Sequence, residues 1–122
     1  MGDFGAQLHR FAEKTGEKLE DVDTSFKLSL FDRVVRRTRV DTGRMRGNWQ
    51  VTTNAPATAE LQRFQRGGGL IVSEAEKIEP FSETWLANNV PYVRIWEERD
   101  GMVAAAIADA NRQLKVAVEK VK

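Results

Sequence analysis

The chain has no cysteine among its 122 residues, a single histidine, and a formal net charge of only +1. Each absence removes a class of function. Without thiols there are no disulfide frameworks, thiolate nucleophiles or Cys-ligated zinc and iron–sulfur centres. The longest apolar stretch, Met102 to Ala108, falls far short of the roughly 20 residues that span a bilayer. Met1 to Arg10 contains Asp3 and no apolar core, so it does not read as a secretory signal. A soluble, unprocessed protein with no membrane association is expected. The lone His9 stands beside Arg10 with no Ser, Asp or metal-ligand partner at a useful spacing, which leaves acid–base catalysis without a constellation. No catalytic, cofactor-binding or metal-ligating set emerges.

What is present suffices for one core. Hydrophobic residues make up 41% of the sequence, and a chain of this length supports a single domain, residues 1–122, without staples. Phe4, Leu8, Phe11, Leu19, Val22, Phe26, Leu30 and Val34 recur at helical spacing. They predict a long helix from Asp3 to Arg37, bent near Gly16. Val40-Asp41-Thr42-Gly43 then reads as a turn, with Asp41 accepting N–H groups just ahead and Gly43 tolerating dihedrals that side chains forbid. Trp49, Val51 and Thr53 alternate, predicting a strand over residues 49–54.

Gly67-Gly68-Gly69 predicts a mobile loop, followed by a short helix from Leu70 to Lys77. It is no phosphate loop, because no Gly-Lys-Ser/Thr follows. Phe81 to Ala87 alternates again, and Tyr92 to Glu97 has a strand-like composition, so Phe81 to Glu97 is expected to form a hairpin turning at Asn88-Asn89. On such strands Trp49, Trp85 and Trp96 read as sheet or core residues rather than stacking platforms. Met102 to Val121 is alanine-rich with a helical stripe. The expected fold class is α+β, a small antiparallel β-sheet packed by a long N-terminal helix and a C-terminal helix.

The small net charge hides an uneven distribution. Arg33, Arg36, Arg37, Arg39, Arg44 and Arg46 against Asp41 give +5 between residues 33 and 46, while eight acids and five bases between Glu60 and Asp100 give −3. Arginine clusters neutralise phosphates, so a small nucleic-acid-binding module using the Arg33 to Arg46 face is the alternative reading. Helix C-termini attract arginine for dipole reasons alone, which makes a solvated or acid-paired face the simpler account. Glu97-Glu98 with Asp100 suggests a hard-metal site at first, but neighbours on a strand point to opposite faces. An acidic turn or subunit contact is expected there.

Three segments resemble the neck and tail-completion proteins of tailed bacteriophages. Val40-Asp41-Thr42-Gly43-Arg44-Met45-Arg46-Gly47-Asn48-Trp49 is similar to that family's "V-D-T-G-R-L-R-G-S-W" passage from helix to first strand. Asn88-Asn89-Val90-Pro91-Tyr92-Val93 is similar to its "N-N-x-P-Y-A" passage, followed by a glutamate at Glu97, and Gly101-Met102-Val103 to the "G-M-V" opening of its last helix. Arg39 stands where the family often has proline, and Glu97 to Gly101 is tighter and more acidic than its usual loop. The resemblance covers most of the chain.

It implies a non-enzymatic virion protein without cofactor, a homo-oligomer in a hexameric ring at the head–tail junction. Its implied partners are a head-completion, connector or portal-side protein and a tail terminator or tail tube protein, with weak contact to exiting DNA conceivable. Within it Asp41, Thr42, Gly43, Trp49, Asn89, Pro91 and Tyr92 are expected to determine the fold, with the Tyr92 ring packed and its hydroxyl bonded. Subunit or partner contacts are expected from Arg33, Arg36, Arg37, Arg44 and Arg46, from the loop carrying Arg66, Gly67, Gly68 and Gly69, and from Glu97, Glu98 and Asp100.

Overall fold

A computed structural model describes residues 18–120 and shows an α+β fold in which two long helices pack on a two-stranded antiparallel sheet. The elements run in the order α1 (Leu19–Arg37), α2 (Arg44–Gly47), β1 (Trp49–Thr53), α3 (Val72–Ala75), β2 (Thr84–Asn88), α4 (Val93–Asp100) and α5 (Met102–Lys120). The first part of the expected N-terminal helix, with the bend at Gly16, and Val121 at the end of the expected C-terminal helix lie outside the described residues.

The charges of α1 follow its dipole, with Glu20 and Asp21 in the first turn and Arg36 and Arg37 in the last. Its apolar stripe buries Val22, Phe31, Val34 and Val35. The helix stops at Thr38, which is fully buried and extended in backbone. The Thr38 hydroxyl donates to the Val34 carbonyl at 2.8 Å and accepts the Trp49 indole N–H at 2.8 Å. One side chain thus ties the end of α1 to the start of β1.

Trp49 pairs with Asn88, Val51 with Leu86 and Thr53 with Thr84, so Trp49 and Val51 share the inner face of the sheet. Val34, Val35, Met45, Trp49, Val90, Met102 and Ala106 form the main core, and Phe31, Val51 and Ile78 a second cluster. Leu30, Leu70 and Leu86 pack against both. On α5, Met102, Ala106 and Ala110 are buried at four-residue spacing, and the small Ala106 and Ala110 let α5 lie along α1.

Residues 44–47, between the expected turn and the expected strand, make a short helical turn. One stretch departs from expectation: Tyr92 to Glu97 is not a strand, because the chain turns at Val90 to Val93, with Val93 N–H donating to the Val90 carbonyl at 3.2 Å, and α4 follows. Val93 and Trp96, three residues apart, both pack on the core, which a helix allows and a strand does not. The expected hairpin therefore does not form. The partner of β2 is β1, and Phe81 lies in the loop ahead of β2. Glu97 and Glu98 stand on a helix, so the strand argument about their directions falls with it.

Thr38→Val keeps the shape but leaves the Trp49 indole N–H buried without an acceptor. Urea denaturation is expected to show a loss of about 1–3 kcal/mol, with the fold retained by circular dichroism.

Candidate functional site

The Gly43 turn is built by close backbone approach. Gly43 holds φ +92, and its carbonyl accepts the N–H groups of both Gly47 and Gln65 at 2.9 Å. A Cβ on Gly43 would lie 2.8 Å from the Gln65 carbonyl oxygen, and one on Gly47 would lie 2.3 Å from that of Arg63. Residues 63–65 therefore lie directly on the turn, and only glycine fits beneath them. The oxygen that accepts the Arg44 N–H is the Thr42 hydroxyl, at 3.2 Å, rather than the expected Asp41 carboxylate. Asp41 is exposed and makes no hydrogen bond among the described residues.

Asparagines join this turn to the end of β2. The Asn48 amide donates to the carbonyls of Arg44 and Leu61 while its oxygen accepts the Leu61 N–H at 2.6 Å. Asn88 donates to the Met45 carbonyl at 2.7 Å, and Asn89 to those of Ala57 and Ala59 at 2.9 and 3.2 Å. The Gly43 turn and the Pro91-Tyr92 turn become neighbours, and between them opens a cleft of about 330 Å³. Its walls include Met45, Phe64, Tyr92 and Trp96. Arg39 lies 4.0 Å over the Trp96 ring and Arg44 lies 5.5 Å over that of Tyr92, both stacked as cations on aromatic faces. Pro91 is exposed at the turn itself.

The basic segment is largely partnered within the chain. Arg33 reaches Gln113, Arg36 pairs with Asp32 at 2.7 Å, Arg37 with Asp109, Arg39 with Asp100 at 3.0 Å, and Arg44 with Glu60. Arg46 donates to the carbonyls of Thr38, Arg36 and Gly68 and so closes the α1 terminus. Hydrogen bonds from Arg39 and Arg37 hold the Asp100 and Asp109 carboxyls below the ordinary carboxylate range. A free phosphate-tracking face is not what this arrangement offers.

The glycine segment, expected as a mobile loop, is tied down. Gln65 donates to the carbonyls of Gly67 and Gly69 at 2.9 and 2.6 Å, and the Leu70 N–H donates to Asp32 at 2.9 Å. Gly69 presses so closely on Asp32 that a Cβ would lie 1.8 Å from its carboxylate oxygen. Gly67 faces open space, and Arg66 is exposed without an ion pair among the described residues. Glu97 is a helix cap: its carboxylate accepts the N–H groups of Val103 and Ala104 at 2.9 and 3.2 Å at the start of α5. Of the three acids there, only Glu98 is exposed without a bonded partner among the described residues.

A buried ion pair escaped the sequence reading. Glu74 is 3% exposed, and its carboxylate accepts the Val51 N–H at 2.8 Å, Arg63 at 3.0 Å and Lys77 at 3.1 Å. Arg63 also donates to the carbonyls of Gly47 and Trp49 at 2.7 and 3.0 Å. Burial pushes the Glu74 pKa up, but the bonds from Val51, Arg63 and Lys77 outweigh it and hold the carboxyl below its ordinary value. The available signal was Glu74 standing four residues from both Leu70 and Ile78, a lone carboxylate on an apolar helical stripe.

Among the described residues no group of acids and histidine is placed to hold a metal ion, and no helix is long and apolar enough to cross a membrane. Comparison with protein-family models, curated proteins and solved structures gives no match.

Glu74→Ala leaves the buried Val51 N–H without its acceptor and the half-buried Arg63 without its counter-charge, and is expected to cost about 1–3 kcal/mol at neutral pH. Because the folded pKa of Glu74 is lowered, its contribution is complete above the ordinary carboxylate range of about 4 and is lost as pH falls through the folded value. Denaturation series from pH 7 downward should show the gap between variant and wild type narrowing in acid.

Proposed function

We propose that the chain is a structural virion protein at the head–tail junction of a tailed bacteriophage, one subunit of a ring joining the head connector to the tail tube or terminator. It works by occupying a place in an assembly and carries out no catalysis. The observation that carries this reading is the convergence of the three segments by which the sequence resembles the neck and tail-completion family. The Gly43 and Tyr92 turns line one cleft, and Met102 packs into the core cluster that also holds Met45, Trp49 and Val90. The first two segments, far apart in the chain, thus meet at a cleft lined by tryptophan, tyrosine, phenylalanine and arginine, residue types that anchor protein interfaces.

The internal pairing of Arg36, Arg37, Arg39 and Arg44 with carboxylates argues against the nucleic-acid alternative, since paired guanidinium groups release few counterions on binding DNA.

Two measurements check this. Particles produced without the protein should show separate heads and tails by negative-stain microscopy, with joining restored when it is supplied. Normal joined virions in its absence would overturn the reading. In parallel, titration of a fluorescent duplex at low and moderate salt should show no binding tighter than the non-specific range of about 10⁻⁴–10⁻⁶ M.

A further inference from the structure

Strand β2 leaves one edge bare. The parity of the ladder is set from β1, where the Val51 N–H turns to Glu74 and the Trp49 carbonyl to Arg63, both away from β2. The bonds between the strands therefore run from Gln50 and Thr52 to Ala87 and Trp85, and Asn54 N–H extends them by donating to the Glu83 carbonyl at 2.8 Å. Thr84, Leu86 and Asn88 alternate with these residues, so their N–H and C=O groups face the far edge. None of those backbone groups has a partner among the described residues. The element that β2 chiefly packs along is β1.

Natural edges are ordinarily blunted by charged side chains, proline or a bulge. Thr84–Asn88 reads Thr-Trp-Leu-Ala-Asn and pairs with β1 in unbroken register, so it has none of the three. The other edge of the ribbon is already taken by Arg63 and Glu74, and among the described residues a second copy has only the edge of β2 to offer. An antiparallel β2 pair has one register that uses every outward group on both edges. Leu86 stands opposite Leu86 of the second copy and Thr84 opposite its Asn88, whereas a slip of two residues leaves Thr84 or Asn88 unpaired. In this register Trp85, 38% exposed on the outer face, lies beside the small Ala87 of the second copy in a close, non-hydrogen-bonded pair. Glu83 falls opposite Asn89, so no like charges meet.

We propose that two copies join β2 to β2 across a two-fold axis and make one four-stranded antiparallel sheet. The gain is large for a ribbon this short, since two five-residue strands alone are marginal in water. Such a pair is closed and does not propagate. It is a form of the free protein, separate from the ring contacts, and it does not rest on the ring reading.

Amide hydrogen exchange on the purified chain, compared between low micromolar and near-millimolar concentration, reads the edge directly. Thr84, Leu86 and Asn88 should slow by about tenfold or more at the higher concentration, and Trp85 and Ala87, already bonded to β1, should change less. In a sample mixing labelled and unlabelled protein, a magnetic-resonance contact between the Trp85 Hα of one copy and the Ala87 Hα of the other should fix the register. Thr84→Pro removes an outward N–H at the first residue of the strand, and Trp85→Lys puts a charge on the outer face; both spare the β1 ladder. Each should keep the circular dichroism of the wild type and weaken the dimer seen by sedimentation about tenfold or more. Edge amides that exchange equally fast at both concentrations, or a Trp85-to-Trp85 contact in place of Trp85-to-Ala87, would overturn the pairing. Edge amides that slow only within joined particles would assign the edge to a strand of another chain there, which also overturns it. The ring reading survives each of these results and is decided separately by the particle images.

Discussion

A two-stranded ribbon of five-residue strands is marginal in water, and the ion pair between Arg63 and Glu74 lets this one serve as the middle of a fold. On the edge of β1 away from β2, the Trp49 carbonyl and the Val51 N–H point outward. Arg63 supplies a donor to the first and Glu74 an acceptor to the second, the two groups that a third strand would have offered. The buried edge is thereby satisfied without another strand. Arg63 also holds the Gly47 carbonyl, so the same pair fixes the turn that feeds β1.

From that pinned edge the other placements follow. Residues 63–65 are drawn over the Gly43 turn, which only glycine at positions 43 and 47 accommodates. Phe64 is left facing outward between Gln65, whose backbone is bonded to Gly43, and Arg63, whose side chain is bonded to β1. Its exposure is thus a consequence of how its neighbours are held. At the far end of the ribbon, Asp23, paired with Lys27, performs the equivalent task for Phe81 by accepting its N–H. Two exposed aromatics, each fixed by polar groups beneath it, mark the two ends of the ribbon.

Much of this was legible in the residues. The helical stripe through Val22, Leu30 and Val34, the alternation at Trp49 to Thr53, the short helix near Val72 and the alanine-rich α5 stand within a few residues of where periodicity puts them. Tyr92 to Glu97 departs from its strand-like composition: Tyr, Val, Ile and Trp favour strands in isolation, while the packing of both Val93 and Trp96 on the core cluster that holds Met102 favours a helix. The arginines misled in a different way. Their number was plain, but whether a guanidinium faces solvent or a carboxylate depends on partners 61 residues away for Arg39 and 72 for Arg37.

By itself the sequence determined the elements whose signal is local: amphipathic periods, the glycine turn at Gly43, and the lack of thiols. Tertiary structure alone decided the pairing of β1 with β2 across residues 54–83, the burial of Glu74 against Val51 and Arg63, and the placing of Phe81 and the aromatic cleft at opposite ends. The physical reason is range. Propensity and periodicity act over one or two turns of chain, whereas burying a charge or positioning a ring depends on groups that only the closed fold brings within hydrogen-bonding distance.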